Sequence, residues 1–364
     1  MNQFLVMALA AGTAMAGTAL LGYVFIPWLH KLRFGQTILD IGPSWHKHKQ
    51  GTPTMGGFMF IIGILASVAA AFAADLAMGG KLLSRMAASG APLTYDPQQL
   101  KVKLFSGLLM ALFFGLLGFA DDYVKVVKKR NLGLTAMQKT IAQILISGGY
   151  LTSLWLSMGR NPFTLIPFLG NITGDPQAAL FPGTLLFFAF GFAVIYGTVN
   201  AANFTDGVDG LCSGVTLTSA AGFLVFALLR GMFGVGVVAA ATIGGLAGFL
   251  VWNRNPAKVI MGDTGSNFLG GLMLAMAFAL DAPVILLPMC IIYVIEGLSD
   301  VIQIGYYKIS GGKRIFKMAP IHHHFEMSGW KEKKIGVVFS LVNLLGVAVG
   351  LAMVWFGLRE FLAF

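Results

Sequence analysis

Two adjacent aspartates, Asp121 and Asp122, stand at the end of a long uncharged run in GFADDYVKVVKKR. Neighbouring carboxylates repel each other unless they share a cation. If the chain is helical here, Lys125 lies beside both acids at the i+4 and i+3 spacings. Charges that end a helix among lipid headgroups would explain the pattern about as well. The acid pair is nevertheless typical of a site for a divalent metal or a metal-bound phosphate.

A second polar segment, NAANFTDGVDG, places Asn200, Asn203, Asp206 and Asp209 three residues apart. On a helix these four side chains would form one stripe, whereas the glycines among them favour a tight turn. A plain turn is the simpler alternative. In either conformation amide and carboxylate groups converge at one place in the chain, which favours a polar binding site.

A third acid, Asp263, lies between glycines in WNRNPAKVIMGDTGSNF, directly before an apolar run. Backbone N–H groups and a carboxylate in such a loop suit metal-bound phosphate. Asp263 would also serve as an ordinary helix N-cap, which is the competing interpretation. Asn253 lies in the turn that precedes it.

Two basic loops hold further candidates. SWHKHKQGTPTMGG places Lys49, which could meet phosphate, and Thr54 at a rigid entry to an apolar run. A basic loop beside a membrane also attracts anionic lipid, which is the alternative interpretation.

The second basic loop contains KMAPIHHHFE, with the consecutive His322, His323 and His324. Consecutive side chains point in different directions, so we expect no zinc site built from all three and at most two rings on one phosphate or sugar. A solvated loop is the alternative.

The elements that must position these residues are membrane helices. The chain has 364 residues, of which 57% are hydrophobic and 11% charged, and its mean hydropathy is +0.78. So few charges cannot cover the surface of a soluble protein of this size, which excludes a soluble enzyme. The net charge of +10 has no compact basic domain to carry it, so no nucleic acid partner is expected. The widely separated Cys212 and Cys290 support no disulfide framework and no cysteine metal site.

We predict a single all-α polytopic integral membrane domain over residues 1–364, with about ten transmembrane helices and an active site on the cytoplasmic face. Uncharged runs of about 20 residues mark the spans, which we place at about 4–27, 55–74, 104–120, 138–158, 180–200, 210–229, 231–252, 265–281, 283–303 and 335–357. The loops that alternate onto one side are 28–54, 121–137, 201–209, 253–264 and 304–334.

The distribution of basic residues orients this domain. The five loops and their flanks hold 18 of the 25 Lys and Arg residues, which places them in the cytoplasm by the positive-inside rule. All six histidines and ten of the fifteen acids lie on or near the same side. A transporter would instead need ionisable groups along the middle of its helices. The pattern therefore favours a site at one membrane surface.

Five motifs together, GTPTMGG, DDYVK, NAANFTDGVDG, MGDTGS and MAPIHHHFE, resemble in this order the phospho-N-acetylmuramoyl-pentapeptide transferase family (translocase I). The resemblance runs from about residue 30 to residue 334. The acidic motifs alone resemble the wider superfamily of polyprenyl-phosphate N-acetylhexosamine-1-phosphate transferases. The histidine run and GTPTMGG narrow the resemblance to the muramoyl branch.

The resemblance implies an enzyme of the bacterial cytoplasmic membrane that moves phospho-N-acetylmuramoyl-pentapeptide from its UDP carrier to undecaprenyl phosphate, giving lipid I and UMP, with Mg2+ as cofactor. Its implied partners are UDP-N-acetylmuramoyl-pentapeptide, undecaprenyl phosphate and membrane lipids, and a homodimer is one of the states left open. A sister enzyme that transfers N-acetylglucosamine-1-phosphate is the nearest rival. A membrane transporter is the rival from another class.

The resemblance also implies roles for individual residues. Asp263 is the implied Mg2+ ligand, and the implied catalytic residues are Asp121, Asp122, Asp263 and His322. A phosphate monoester has a second pKa of about 6 and is already largely a dianion at pH 7, so we expect Asp121 to orient acceptor and metal rather than to abstract a proton. A covalent aspartyl intermediate, which has been proposed for the family, is the alternative role of Asp121. The implied substrate-binding residues are Lys49, Thr54, Lys125, Lys139, Asn203, Asp206, Asp209, Asn253, Gln303, His323 and His324.

Overall fold

The computed structural model describes residues 2–32, 51–85, 96–127, 133–160, 163–173 and 182–362. Its helices are α1 (Gln3–Lys31), α2 (Gly57–Ala77), α3 (Pro97–Val127), α4 (Ala136–Ser157), α5 (Pro182–Thr205), α6 (Leu211–Leu229), α7 (Phe233–Asn253), α8 (Gly262–Ala279), α9 (Leu286–Met289), α10 (Ile291–Ile309), α11 (Ile321–Glu326) and α12 (Glu332–Gly357). Short 3-10 turns occur at Pro283–Ile285 and Arg359–Phe361. Within the described ranges the strands are β1 (Phe163–Ile166) and β2 (Gly170–Thr173), which form one antiparallel hairpin.

Apolar helices dominate the fold, which confirms an all-α polytopic membrane protein. Seven of the described helices are long and apolar enough to cross a membrane: α1, α2, α3, α5, α6, α7 and α12. The segment Pro283–Met289 and α10 meet at 86° and would make an eighth, broken span. The long helices α4 and α8 are less apolar, and α8 opens with the polar sequence GDTGSN. The bounds of the ten spans stay a prediction.

Two helices run further than the expected spans. α3 continues to Val127 and α5 to Thr205, so the acid pair and Asn203 lie on helices where we placed the loops 121–137 and 201–209. The reason is local: no glycine or proline interrupts ADDYVKVV, and in the second motif the first glycine is Gly207. α8 likewise begins at Gly262, three residues before the expected span.

α8 is the central helix of the bundle. Every residue from Thr264 to Ala279 is buried, and the helix packs most extensively on α3 and α5. A helix enclosed on every side is expected to be apolar around its circumference, as α8 is from Phe268 onward. Close approach to α3 depends on glycine, because a Cβ at Gly118 would overlap the Asp263 backbone. Since Gly118 lies one turn before the acid pair, this packing brings the pair to the first turn of α8.

The opposite ends of α3 and α8 are joined by a second charged cluster. Lys103 of α3 forms a buried ion pair with Asp281, directly after α8, and Arg230 Nη2 lies 3.3 Å from Asp281 Oδ2. The Leu165 N–H of the hairpin donates to the Asp281 carbonyl at 2.7 Å. α3 and α8 therefore run antiparallel and are tied at both ends, which fixes their register at the acid pair.

Candidate active site

Three carboxylates from two helices meet at the start of α8. One ligand oxygen from each of Asp121, Asp122 and Asp263 lies within 4.8 Å of the others. Asp121 is 1% and Asp122 4% exposed, whereas the side chain of Asp263 is 18% exposed. Asp263 is therefore the carboxylate that a ligand in solution reaches first.

Backbone and hydroxyl donors hold the two buried carboxylates in place. The Leu134 N–H donates to Asp121 Oδ1 at 2.7 Å, and Asp122 Oδ2 accepts from the Thr264 N–H at 3.0 Å and from its hydroxyl at 2.8 Å. Free N–H groups at a helix N-terminus favour a negative charge. The first turn of α8 thus fixes the orientation of Asp122.

Two lysines balance most of the negative charge. Lys125 Nζ lies 2.6 Å from Asp121 Oδ2 and 2.9 Å from Asp263 Oδ2, with Asp122 Oδ1 at 3.8 Å. Lys139 Nζ lies 2.9 Å from Asp121 Oδ2 and 3.3 Å from Asp263 Oδ2. Both lysines are about one third exposed. Three carboxylates and two ammonium groups leave one net negative charge, so the cluster can accept a cation while its lysines face an anion.

Helix α5 contributes an amide to the same cluster. Asn203 Nδ2 donates to Asp263 Oδ1 and to Ser266 Oγ, each at 2.9 Å. One turn earlier, Asn200 and Gln143 of α4 exchange two amide hydrogen bonds of 3.1 and 3.3 Å. Because Gln143 stands one turn after Lys139, this pair sets α4 and α5 so that Lys139 and Asn203 both reach Asp263.

The donor set fits a hard divalent cation such as Mg2+, which prefers carboxylate oxygens. Two ligands on opposite sides of Mg2+ would be about 4.2 Å apart, close to the 4.8 Å that bounds the three carboxylates. Asp263 is the most exposed of the three and can hold the ion together with Asp121 or Asp122. Within the described residues this is the one acidic group with metal-binding geometry.

Thr54 borders the cluster from the segment before α2. The Ile260 N–H donates to the Pro53 carbonyl at 2.8 Å, and the Gly56 N–H donates to the Ile260 carbonyl at 2.9 Å. A Cβ at Gly262 (φ +70°) would lie 2.7 Å from Thr54 Oγ1 and 2.6 Å from Asp122 Oδ2. Glycine at 262 therefore lets Thr54 stand directly beside the acid pair. Lys49 lies outside the described residues.

Two of the implied substrate-binding residues make hydrogen bonds within the chain, and their contact with substrate stays a prediction. Asp209 is 8% exposed, and its Oδ2 accepts from Asn255 Nδ2 at 3.1 Å and from the Ala257 N–H at 2.9 Å. Asn253 is 2% exposed, accepts from the Ser213 hydroxyl and donates to the Val259 carbonyl, both at 2.9 Å. These hydrogen bonds satisfy backbone groups in the turn between α7 and α8, and this turn leads directly to Asp263.

Gln303 of α10 makes similar hydrogen bonds to the segment that follows this helix. Its Oε1 accepts the N–H groups of Ile315 and Phe316 at 3.1 and 3.0 Å, and its Nε2 donates to the Phe316 carbonyl at 3.0 Å. Asp206 lies in the turn after α5, where its N–H donates to the Asn203 carbonyl at 3.2 Å. Among the implied binding residues, the structure brings Lys125, Lys139, Asn203 and Thr54 to the carboxylates.

The three histidines lie on the short helix α11 and point to three different partners. His322 is fully buried with its Nδ1 3.0 Å from Glu296 Oε2, and His323 Nδ1 lies 2.7 Å from Glu326 Oε2. His324 Nδ1 accepts the Lys317 N–H at 3.1 Å. The His322 ring is thus enclosed between α10 and the turn after α5, and its implied catalytic role stays a prediction.

Sequence reasoning missed two residues that hold the site. Thr264 anchors Asp122, and its hydroxyl in GDTGS was the available signal. Glu296 holds His322, and the signal was an acid in the apolar first half of α10, four residues before Asp300. An acid in that environment needs a partner, but its partner is 26 residues away in the chain.

The central part of the chain matches a known family. The model of glycosyl transferase family 4 matches residues 104–281. This stretch includes α4 to α8 and the part of α3 that carries the acid pair, and therefore all three carboxylates, both lysines and Asn203.

Curated relatives extend the similarity to nearly the whole chain. A phospho-N-acetylmuramoyl-pentapeptide-transferase of Carboxydothermus hydrogenoformans is 43% identical over 328 residues, which are 90% of this chain and 92% of the relative. A protein with the same name from Desulforamulus reducens is 41% identical over 94% of this chain and 96% of its own length. One from Listeria monocytogenes is 41% identical over 92% of this chain and 93% of its own.

Proposed function

We propose, because the chain belongs to the phospho-N-acetylmuramoyl-pentapeptide transferase family, that it transfers phospho-N-acetylmuramoyl-pentapeptide from its UDP carrier to undecaprenyl phosphate. The products are lipid I and UMP. The observation that carries the proposal is the meeting of Asp121, Asp122 and Asp263 with Lys125 and Lys139 at the end of a buried helix. Such a group can bind a metal-bound diphosphate.

We propose Mg2+ as the cofactor, held by Asp263 with Asp121 or Asp122. When bound there, Mg2+ would supply positive charge to stabilise the diphosphate oxygens of the donor. The chain's own cations act beside it: Lys125 and Lys139 are one third exposed and can bind phosphate oxygens that approach Asp263. Phosphoryl transfer depends mainly on such positioning and charge stabilisation.

Asp121 orients the site rather than attacking the substrate. It is 1% exposed, one oxygen accepts a backbone N–H, and the other lies between two lysines. A carboxylate held in this way is poorly placed for nucleophilic attack. The acceptor needs no general base, since a phosphate monoester is already largely a dianion at pH 7. The burial of Asp121 thus supports orientation over a covalent aspartyl intermediate.

The same proposal places the site at the cytoplasmic face of the bacterial inner membrane. The polar cluster lies at one end of the apolar helices α3, α5 and α8, where a headgroup phosphate and a cytosolic nucleotide can meet. The excess of Lys and Arg in the loops on this side supports the orientation.

Radiolabel transfer by purified protein tests the function. UDP-N-acetylmuramoyl-pentapeptide and UDP-N-acetylglucosamine are offered separately with undecaprenyl phosphate, with Mg2+ and with EDTA. We expect lipid-linked label and UMP from the muramoyl donor, and loss of both on chelation. Label from the N-acetylglucosamine donor alone would move the enzyme to the sister branch, and Mg2+-independent transfer would remove the metal from the proposal.

A further inference from the structure

A second buried acid lies outside the carboxylate cluster. Glu296 of α10 is 0% exposed, and its Oε2 lies 3.0 Å from His322 Nδ1 and 3.5 Å from the His322 backbone N–H. The imidazole of His322 is equally buried. Neither the family match at residues 104–281 nor the sequence motifs include Glu296.

The contact fixes where the imidazole carries a proton. A buried carboxylate is stable only when a donor faces it. A carboxylate can only accept, so a carboxylate at Glu296 pairs with the tautomer of His322 that carries its hydrogen on Nδ1. The His322 backbone N–H faces the same oxygen, so Glu296 holds the start of α11 as well as the ring.

The other ring nitrogen is directed at the turn after α5. His322 Nε2 is buried and has no hydrogen-bond partner among the described residues. It lies against Gly207, where a Cβ would overlap Nε2. Gly207 follows Asp206 in NFTDGVDG, and Asn203, four residues before Gly207, binds Asp263. The ring thus connects Glu296 to the segment that reaches the carboxylate cluster.

We propose that Glu296 is a positioning residue for the transfer reaction that acts through His322. Its carboxylate accepts the Nδ1 hydrogen, locks one tautomer and ring orientation, and leaves the lone pair of Nε2 facing the turn that carries Asp206. The inference rests on the proposed function and adds to it a residue that sets the geometry of the histidine helix beside the turn after α5.

Conservative variants of Glu296 separate positioning from simple packing. Glu296→Gln keeps the shape and an oxygen that accepts from Nδ1, so we expect kcat within about fivefold of wild type. Glu296→Met keeps the volume but no acceptor of comparable strength, so we expect kcat at least tenfold lower. The melting temperature should fall by only a few degrees, because an unpaired buried N–H costs about 1 to 3 kcal/mol. Ser299→Ala, which removes only a hydroxyl bonded to the Glu296 carbonyl, is the control on the same helix.

A double mutant tests the path through His322. If Glu296 acts through the ring, Glu296→Met adds no further loss of kcat in a His322→Ala background. Additive losses, or a Met variant that loses thermal stability with unchanged kcat of the folded fraction, would overturn the proposal. A change in the KM for the UDP donor alone would also contradict it.

Nitrogen-15 NMR of histidine-labelled protein reads the tautomer without an activity assay. We expect a His322 signal pair of the Nδ1–H form in wild type and Glu296→Gln, and its loss in Glu296→Met; the same spectrum in all three would refute the lock. If wild type transfers no label from the muramoyl donor, the proposed function fails while this spectrum still decides the role of Glu296 in holding the ring.

Discussion

Asn203 Nδ2 donates to Asp263 Oδ1 at 2.9 Å, so an amide on α5 sets the direction of the most exposed carboxylate in the cluster. The same nitrogen donates to Ser266 Oγ, one turn into α8. With Oδ1 engaged, Oδ2 of Asp263 faces the two lysines. The site therefore presents one carboxylate oxygen and two ammonium groups together, which suits a phosphate that arrives with a divalent cation.

Replacing Asp263 by asparagine tests this arrangement. Asp263→Asn keeps the shape and the first turn of α8 but removes the negative charge that would hold Mg2+. We expect transfer to fall by about a hundredfold or more, since charge stabilisation of a transition state can supply several kcal/mol. Initial rates on matched folded protein measure it, with the exposed Glu360→Gln as control. Near-normal activity at ordinary Mg2+ would remove Asp263 from the site.

Removing a lysine should strengthen metal binding while it weakens catalysis. Lys139 Nζ lies 2.9 and 3.3 Å from oxygens of Asp121 and Asp263, where it competes with a cation. Lys139→Gln should bind Mn2+ roughly tenfold more tightly, as expected for the loss of one nearby positive charge, and should transfer label more slowly. Paramagnetic titration with Mn2+ measures the affinity, and the exposed Lys101→Gln is the control. Unchanged Mn2+ affinity would show that Lys139 does not balance this cluster.

The central contacts of the site could be predicted from the sequence because they join residues that are close together in the chain. The i+3 and i+4 spacings placed Lys125 beside both acids of DDYVK, and the structure confirms this contact. The sequence also places the acidic motifs on one membrane face, and Asp263 does lie beside Asp121 and Asp122. Helical periodicity and the alternation of apolar runs with polar loops suffice for such predictions.

The side chains that hold the loops by hydrogen bonds to the backbone could not be predicted in the same way. Asp209 and Gln303 have the residue types of binding groups, but they satisfy backbone N–H groups at Ala257 and at Phe316. Which unpaired N–H group a side chain will meet depends on the path of the turns, and that path is set by packing between distant helices. The contact between Glu296 and His322 could not be predicted for the same reason, because the two residues are 26 positions apart in the chain.

Loss of the amide pair between α4 and α5 should disturb the site from a distance. Gln143 is buried and exchanges two hydrogen bonds with Asn200, so Gln143→Ala removes both and leaves Asn200 with its bond to the Tyr196 carbonyl, at a cost of about 1 kcal/mol per lost bond. We expect a lower melting temperature and a several-fold loss of kcat, because Lys139 is one turn away on α4. Thr140→Ala is the matched control, since its hydroxyl makes only a 3.5 Å contact to Tyr196. Equal effects of the two variants would argue against the coupling.

The histidines should differ from one another in their effect. His322→Ala leaves the buried Glu296 without its partner, a change that typically costs about 3 to 5 kcal/mol, so both stability and transfer should fall sharply. His324 accepts one backbone N–H from a partly exposed position, and His324→Ala should lower kcat by less than about threefold. Thermal melts and saturated rates of the two variants, measured side by side, check this order. Similar losses in both would contradict the different environments of the two rings.

The orientation of the bundle can be tested with single cysteines. Cys212 and Cys290 are both buried, so the folded wild-type protein should not react with a thiol reagent. Ser328 is exposed in the loop 304–334 that we place in the cytoplasm, whereas Lys81 is exposed in the segment that we place outside. In intact spheroplasts an impermeant maleimide should label Lys81→Cys but not Ser328→Cys. As the control, permeabilisation should make Ser328→Cys reactive, because its thiol is exposed on the protein and is shielded only by the membrane. Because a charged reagent cannot cross the apolar core of the bilayer, labelling depends only on the side of the membrane. Labelling of Ser328→Cys before permeabilisation would invert the orientation and place the carboxylate cluster on the face away from the cytosolic nucleotide.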